Sequence, residues 1–400
     1  RAAAVVSSAE RIADIHYREK DSKGDKLRRW GKDQAHVLLS KTTVAAVESL
    51  SRSNPSSVAI PGDFDINTEL LGTPDGTVDL RTGELQDAKR GDLITKQTAC
   101  GPTPEGVRPE RWLQFLDEIF DGEQELISFM QRAAGYALTG KTSEHKLLFL
   151  YGTGRNGKSV FLNTLYHLWG DYARRAAAET FLNTMGDKHA TGVAGLQGAR
   201  LVAGSELPVG KTWDESVIKD LTGGDVMTAR FMRGDFFDFT PQLTLMIAGN
   251  NQPSFRGVDE AIRARVVLVP FTVTIPPEGR DPDLFDKLKA EGPAILRWAI
   301  DGAVEWHKRG LDVPAKVAAA SEEYMDDEDM LGQFLADKTE TDPDGFVTTT
   351  ELHQVFKYWA ETQGLYPWSQ HILQKEMKSR NWPHMRRKYG RGFGGLRMRG

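Results

Sequence analysis

The chain has 400 residues, of which 40% are hydrophobic and 27% charged, and its formal net charge at pH 7 is −5. This length predicts two or three domains with a sizeable core. The composition is that of a globular protein, and the negative charge argues against one that coats nucleic acid uniformly, while permitting local basic surfaces.

Cys100 is the only cysteine, which excludes a disulfide framework and a thiolate metal site. A reducing, cytoplasmic environment is therefore expected. No apolar run approaches the length of a membrane span and no signal peptide is visible, so we expect no membrane partner. Because the first residue is Arg1 rather than Met, we also expect a fragment of a longer protein.

The first 140 residues carry structural rather than chemical patterns. Apolar residues spaced among charges predict helices up to about residue 50. Apolar and polar residues alternate in Gly76–Leu85, with a turn at Thr82 and Gly83, and this pattern predicts a short hairpin. Two helices should follow, because apolar residues recur at helical spacing from Trp112 to Phe120 and from Leu126 to Ala134.

A phosphate-binding motif comes next. The segment from Gly152 to Ser159 fits G-x-x-x-x-G-K-[ST] and lies between a predicted apolar strand and a predicted helix that ends at Trp169. Its glycines let backbone N–H groups converge on phosphate oxygens, and the helix N-terminus adds its positive dipole end. Lys158 should meet the β- and γ-phosphates, and Ser159 should hold Mg²⁺. The residues predicted to bind the nucleoside triphosphate are Gly152, Thr153, Gly154, Arg155, Asn156, Gly157, Lys158 and Ser159.

Two later strands end in side chains suited to the same site. The strand that begins at Arg200 ends in Glu206, where a carboxylate that activates water or organises Mg²⁺ belongs. The strand from Leu243 ends at Asn250, whose amide can hydrogen-bond a γ-phosphate or the attacking water. Apolar strands that are separated by polar segments predict an α/β core.

The segment Thr228–Phe239 predicts two strands joined by a turn at Gly234. Arg230 and Arg233 put cations near the tip and Phe231 adds an aromatic face. This combination is typical of sites for single-stranded nucleic acid.

Arg263 and Arg265 precede the apolar strand Val266–Phe271. An arginine at the start of an edge strand normally faces solvent. It gains a catalytic role only if a neighbouring subunit brings a nucleotide to it.

Beyond the last of these strands, a helix is predicted over Gly292–Lys308 as part of a small helical lid. The acidic stretch Glu322–Asp329 is predicted to be a solvated helix face near a boundary.

The C-terminal pattern is strand, two helices and basic hairpin, which is the winged helix-turn-helix layout. The helices are predicted at Thr349–Thr362 and Ser369–Arg380, and the hairpin runs from His384 to Arg399. From Lys375 to Gly400, three Lys and six Arg oppose one Glu, a formal charge of +8. Contact with the nucleic-acid backbone is therefore predicted. The predicted DNA-binding residues here are Arg386, Arg387, Lys388 and Arg391.

In this order, the motifs from Gly152 to Phe271 resemble those of the superfamily 3 helicases, specifically the phage and plasmid P4-type helicase-primases and the poxvirus D5-like proteins. The flanks resemble that family too. Gly76–Leu85 and Trp112–Gly140 are similar to the domain that precedes its ATPase, and the tail is similar to its winged-helix module.

The resemblance implies an AAA+-like α/β core with a parallel sheet, an α+β domain before it and a winged helix after it. It implies a hexameric ring around DNA, ATP and Mg²⁺ as cofactors, hydrolysis at subunit interfaces and 3′-to-5′ translocation. The expected domains are residues 1–110 (N-terminal α+β, D5 N-terminal-like), 111–140 (helical linker or collar), 141–275 (ATPase core), 276–335 (helical lid and acidic linker) and 336–400 (winged helix).

The same resemblance assigns roles in catalysis. Lys158 and Ser159 are expected at the phosphates and Mg²⁺, Glu206 at the attacking water and Mg²⁺, Asn250 as a sensor and Arg265 as a finger acting in trans. Two departures from the family pattern matter. Ser205 stands where relatives often have a second acid, and Ala264 separates Arg263 from Arg265, so Arg263 stays an alternative finger.

The leading functional hypothesis is an ATP-dependent helicase that acts on single-stranded and forked DNA in phage or plasmid replication, in a bacterial or phage-infected cytoplasm. A primase domain or protein is a further expected partner. The alternative is a DNA-binding initiator or loader that uses ATP as an assembly switch and never unwinds. A small-molecule kinase ranks last, because it leaves the Arg265 segment, the hairpin and the basic tail unexplained.

Overall fold

The structure, a computed structural model, describes residues 23–51, 59–183, 189–204, 212–252, 254–255 and 258–399. The chain divides into two compact units, Arg1–Ile66 and Asn67–Gly400.

The described residues of the first unit form the helices α1 (Lys23–Leu39) and α2 (Lys41–Ser51). They confirm the predicted helical character of this stretch as far as it is described. The same prediction for residues 1–22 lies outside the described residues.

The second unit begins with a small antiparallel sheet of β1 (Leu70–Thr73), β2 (Gly76–Asp79) and β3 (Glu84–Gln86). β2 and β3 form the predicted hairpin, in which the N–H groups of Thr82 and Gly83 donate to the Asp79 carbonyl. The alternation that predicts this hairpin does not reach β1, which is buried along its whole length.

Two helices, α3 (Glu110–Phe120) and α4 (Gln124–Thr139), confirm the amphipathic pattern. They pack into the main core, where Trp112 stacks on Phe161 with ring centroids 5.4 Å apart. The carboxylate of Glu291 accepts bonds from the first amides of α3, at 2.9 and 3.0 Å. This distant side chain satisfies amides that a helix N-terminus leaves without partners.

A five-stranded parallel sheet forms the centre of the unit. Its strands lie in the order β10 (Val266–Pro270), β4 (Leu147–Tyr151), β9 (Thr244–Gly249), β6 (Leu201–Gly204) and β5 (Ala173–Ala176). Leu148 and Leu150 of β4 face one hydrophobic cluster, and Leu147 and Phe149 face another. The fold is therefore mixed α/β, with helices on both faces of the sheet. The elements of this region are β4 (Leu147–Tyr151), α5 (Lys158–Trp169), β5 (Ala173–Ala176), α6 (His189–Ala194), β6 (Leu201–Gly204), α7 (Glu215–Gly223), β7 (Met227–Arg230), β8 (Phe236–Phe239), β9 (Thr244–Gly249), α8 (Glu260–Arg263) and β10 (Val266–Pro270).

The C-terminal part has its own hydrophobic core, which includes Phe334, Leu352, Phe356 and Leu396. Its three strands form an antiparallel sheet in the order β11 (Thr339–Thr348), β13 (Gly390–Met398) and β12 (His384–Arg387). The elements after β10 are α9 (Leu284–Ala290), α10 (Gly292–Arg309), α11 (Ala315–Glu328), α12 (Met330–Lys338), β11 (Thr339–Thr348), α13 (Thr349–Thr362), α14 (Gln370–Ser379), β12 (His384–Arg387) and β13 (Gly390–Met398).

The prediction of a solvated acidic face is correct for Glu322 and Glu323 and wrong for the end of that stretch. Glu328 accepts a bond from the Phe255 N–H at 3.0 Å, and burial raises the pKa of this carboxyl. Asp329 is only 8% exposed. The acidic stretch is thus partly a packing surface.

Across the described residues, the helices are all too short or too polar to cross a lipid bilayer.

Candidate nucleotide-binding site

The loop Gly152–Ser159 joins the carboxyl end of β4 to α5, which confirms the predicted strand–loop–helix context. Two glycines are sterically required. A Cβ on Gly152 would lie 2.2 Å from the Phe271 carbonyl oxygen, and one on Gly157 would lie 2.5 Å from Cγ2 of Ile119. Gly157 also has a φ of +83°, in the left-handed region that favours glycine. The loop therefore lies tightly between α3 and the chain that follows β10.

The Lys158 ammonium lies inside this loop, and the residue is only 5% exposed. Its Nζ donates to the Gly152 carbonyl at 2.6 Å, to Asn156 Oδ1 at 2.9 Å and to Asn250 Oδ1 at 3.1 Å. These three acceptors are neutral oxygens, so anionic phosphate oxygens would be stronger partners for the same ammonium. The geometry brings together Lys158 and Asn250, which the sequence predicts for one site.

Asn156 contributes to the site through Lys158. Its side chain is buried, and its Nδ2 donates to the Phe271 carbonyl at 3.0 Å while its Oδ1 accepts from Lys158. One amide thus fixes the lysine and links the loop to the end of β10.

A cleft of about 310 Å³ opens beside Lys158, at the carboxyl ends of β5, β6 and β9. In parallel sheets, ligands bind at this edge. Ser159 lines the cleft at the N-terminus of α5, where unpaired amides and the helix dipole favour anions. The other lining residues are Leu162, Asn163, Arg175, Ala176, Ala203, Gly204, Ala248, Gly249 and Asn250.

These features fit a nucleoside triphosphate: a glycine loop that a Cβ would fill, a buried lysine and an open cleft. Within the described ranges, no three His, Cys, Asp or Glu side chains come close enough to hold a metal. Of the two residues predicted to hold Mg²⁺, Ser159 lines this cleft. Glu206, the other predicted Mg²⁺ residue, lies outside the described residues.

Arg175 is a cleft residue that the sequence patterns miss. Its Nη2 donates to Asn163 Oδ1 at 2.7 Å, and its guanidinium lies 4.7 Å from the Tyr166 ring centroid. It belongs to β5, an edge strand that reads Ala-Arg-Arg-Ala and lacks the apolar run by which the other strands of the sheet are predicted. Its place in the cleft follows only from the position of β5 beside α5 in the structure.

Arg265 lies at the opposite end of the sheet from the loop. Its carbonyl accepts a bond from the Leu147 N–H, at the amino end of β4. Its Nε donates to Thr222 Oγ1 at 3.2 Å and its Nη1 to the Ala261 carbonyl at 2.8 Å. Arg265 also helps burial to lower the pKa of Lys146, although burial is the larger cause and Glu144 opposes both.

Arg263, the alternative finger, is tied to acidic residues of its own chain. Its guanidinium lies 2.8 Å from Asp326 and 3.4 Å from Asp329.

The predicted hairpin is present as β7 and β8, with its tip exposed. The guanidinium of Arg230 lies over the Phe236 ring at 4.8 Å, and Phe231 stacks on Phe237 at 5.3 Å. The turn lies where it is predicted, and its left-handed residue is Arg233, with a φ of +62°. A non-glycine residue in this region is strained, and such strain is typical of functional sites.

The C-terminal hairpin formed by β12 and β13 exposes Arg386, Lys388 and Arg391. Arg386 and Arg391 face each other across the two strands. Arg387 instead contacts its own sheet, since its Nη1 donates to the Asp344 carbonyl at 3.0 Å.

We expect Gly157→Ala to destabilise the ligand-free protein by about 1–3 kcal/mol, because the new Cβ meets Ile119 and the left-handed φ is costly. Urea or thermal unfolding measures this. Gly154→Ala is the matched control, since a Cβ there has open space. Equal stability of the two variants would mean that the loop does not pack on α3 as described.

Sequence comparisons give two family matches. Residues 8–121 match the family described as "D5 N terminal like", and residues 150–265 match a family of unknown function (DUF5906). The second match covers the P-loop (Gly152–Ser159), the cleft residues and the arginine segment (Val258–Arg265).

The chain is also similar to viral proteins. It is 26% identical over 285 residues to "Putative helicase 022R" of Frog virus 3 (isolate Goorha), covering 65% of this chain and 29% of that protein. It is 22% identical over 330 residues to "Putative helicase L207/L206" of Acanthamoeba polyphaga mimivirus, covering 74% of this chain. The chain spans only 29% and 33% of the lengths of these two relatives.

Among solved structures, the chain is similar to the apo C-terminal region (305–718) of NrS-1, with a TM-score of 0.46 and 11% identity. This match covers 74% of this chain and 79% of the other. The family match and the viral relatives confirm the relationship that the motif order predicts: this chain is related to the D5-like superfamily 3 helicases.

Proposed function

We propose that this chain is the motor part of an ATP-dependent DNA helicase, which translocates on single-stranded DNA during phage or plasmid type replication. The names of its viral relatives support a helicase, and the loop and cleft support nucleotide binding. The separation of Lys158 from Arg265 carries the proposal further, because it suggests a site that a second copy of the chain must complete.

Within one subunit, Lys158 would exchange its neutral acceptors for the β- and γ-phosphate oxygens and neutralise charge as it develops there. Ser159 would hold Mg²⁺, which supplies Lewis-acid stabilisation of the phosphates when bound. Asn250, already bonded to Lys158 at 3.1 Å, would sense the γ-phosphate. Glu206 is our proposal for the base that orients water.

Arg265 is our proposal for the finger acting in trans. The five residues of β4 separate it from the loop, a span of about 16 Å at the usual rise of a strand. An arginine side chain at one end of this strand does not reach phosphates at the other end. A neighbouring subunit would therefore supply the arginine, which favours a ring, with a hexamer as the expected form.

Two surfaces would contact DNA. In a ring, the β7–β8 hairpin would project Arg233 towards single-stranded DNA in the channel. The C-terminal part has the element order α12-β11-α13-α14-β12-β13, which we interpret as a winged helix with β12 and β13 as its wing. Like charges that face each other across strands are destabilising, so the Arg386–Arg391 pair favours an anionic partner such as phosphate.

The central prediction concerns mixed assemblies. Lys158→Ala and Arg265→Ala should each abolish ATP hydrolysis, because each removes one half of an interface site. Mixed subunits should regain measurable ATPase activity, since some interfaces join an intact loop to an intact arginine. If co-assembly is confirmed by light scattering and activity stays absent, the role in trans is wrong.

A second prediction concerns the hairpin tip. Arg233→Gly should remove the cation while relieving the left-handed strain, so thermal stability should be kept or improved. DNA-stimulated ATPase and unwinding should fall, whereas Arg233→Lys should retain most of both. If single-stranded DNA stimulates the ATPase activity of the glycine variant as strongly as that of the wild type, the hairpin has only a structural role.

The wild type itself tests the alternative function. ATPase activity that DNA stimulates without any unwinding would favour an initiator or loader.

A third prediction concerns the wing. Replacing Arg386, Lys388 and Arg391 by Gln should weaken duplex binding and reduce the slope of log K against log salt by about 3, or about 0.9 for each lost phosphate contact. Fluorescence anisotropy across a salt series measures this. Replacing three other exposed cations, Lys26, Arg29 and Lys32 of α1, by Gln serves as the control for net charge. Equal slopes for the two triple variants would mean that the wing cations contribute to DNA binding no more than other surface cations do.

A further inference from the structure

The chain from Val258 to Arg265, between β9 and β10, is held on one side by α7. Asp259 caps α8 by accepting from the Ile262 N–H, and its other oxygen lies 2.5 Å from the Lys219 ammonium. Thr222, also on α7, accepts from the Arg265 guanidinium. These bonds fix both ends of the segment within the ATPase layer.

Asp329 holds the same segment from another direction. It lies at the junction of α11 and α12, and one of its oxygens is 3.4 Å from Nη2 of Arg263. Its two oxygens also accept from Arg380, at 2.5 Å to Nη2 and 2.8 Å to Nη1. Burying a carboxylate costs free energy unless it is hydrogen-bonded to charged partners, so both guanidiniums stabilise Asp329 in this position. Asp329 therefore links two arginines that are far apart in sequence.

Arg380 brings the C-terminal domain into this link, because it is the C-cap residue of α14. Its Nη2 also lies 3.4 Å from the Val258 carbonyl, at the start of the arginine segment. One turn earlier, Glu376 is half-buried, and its pKa is raised by burial and then by the charge of Glu215 on α7. This face of α14 thus packs on the ATPase domain, on the segment that carries Arg265.

We propose that Asp329 is a positioning residue for Arg265, and that it makes the placement of this arginine depend on the docking of the C-terminal domain. The inference rests on the proposed role of Arg265 in trans. When α14 moves, Arg380 leaves the shared carboxylate or pulls it along. Arg263 is displaced with it, because Arg263 is held by that carboxylate as well as by Asp326 on α11. Binding of DNA to the basic C-terminal domain thereby changes the position of Arg265 relative to the nucleotide of the neighbouring subunit.

A purely structural role for Asp329 must be separated from this one. Its Oδ1 also accepts from the Gly332 N–H at 2.8 Å and caps α12. Asn is as good an N-cap as Asp. Asp329→Asn therefore keeps the cap and removes the charge that binds the two arginines. Asp327→Asn is the matched control, because this residue is exposed two positions earlier on the same helix end.

Steady-state ATPase of the full chain gives the first test. For Asp329→Asn we expect kcat to fall by about 10- to 100-fold, as for a misplaced catalytic group. The KM for ATP should stay within about twofold, because the variant keeps its own loop. Asp327→Asn should resemble the wild type. A wild-type kcat for Asp329→Asn, or a loss confined to KM, overturns the proposal.

Mixing gives the decisive test. Asp329→Asn subunits have an intact loop and a misplaced arginine, so Lys158→Ala subunits should rescue them and Arg265→Ala subunits should not. The reverse pattern would show that Asp329 acts on its own loop, and the proposal would be wrong while the helicase proposal stands. If Lys158→Ala and Arg265→Ala fail to rescue each other, the role in trans fails and this inference fails with it.

Arg380→Gln tests the link to the C-terminal domain. It should lower kcat as Asp329→Asn does, and the double variant should be no worse than the stronger single variant, since both remove one connection. Additive losses would mean that α14 and the arginine segment are not coupled through Asp329.

Discussion

The pairing of β4 with β9 on one side and β10 on the other is the constraint on which the whole site depends. In this register Tyr151 lies opposite Gly249 and Pro270. The next residue on each strand is therefore Gly152, Asn250 or Phe271, and these are the groups that surround Lys158 and Asn156. A slip of one residue would shift a strand by about 3.3 Å and reverse its faces. The hydrogen-bond ladder thus sets the chemistry at both ends of the sheet.

Two buried arginines hold the small N-terminal sheet and the segments beside it to the rest of the second unit. Arg200 donates to the carbonyls of Leu138 and Leu70, at 2.7 and 2.9 Å. Arg297 donates in the same way to the carbonyls of Thr103 and Gly83. Each guanidinium joins segments far apart in sequence and satisfies backbone groups that the packing would otherwise bury without partners.

The sequence predicts most of the sheet because its strands are apolar runs, buried on both faces. It predicts the loop because the glycine and lysine spacing is dictated by phosphate geometry. It fails where a residue's role depends on a distant partner. Arg175 lies on a short edge strand without an apolar run, and Asp329 belongs to an acidic stretch that resembles a solvated face. Arg380 and Glu291 follow no motif, since their partners lie more than fifty residues away.

The turn of the β7–β8 hairpin departs from local conformational preference. A turn prediction assigns the left-handed conformation to glycine, because glycine adopts it without strain. Here Arg233 adopts it and Gly234 does not. Local preference alone does not account for this arrangement.

The packing of Gly157 on Ile119 links regions that the family matches treat as separate. Ile119 belongs to α3, near the end of the D5 N-terminal-like match at residue 121, whereas the P-loop belongs to the match that begins at residue 150. The loop and the helix beneath it must therefore evolve together, because a larger side chain at position 119 would need compensation in the loop.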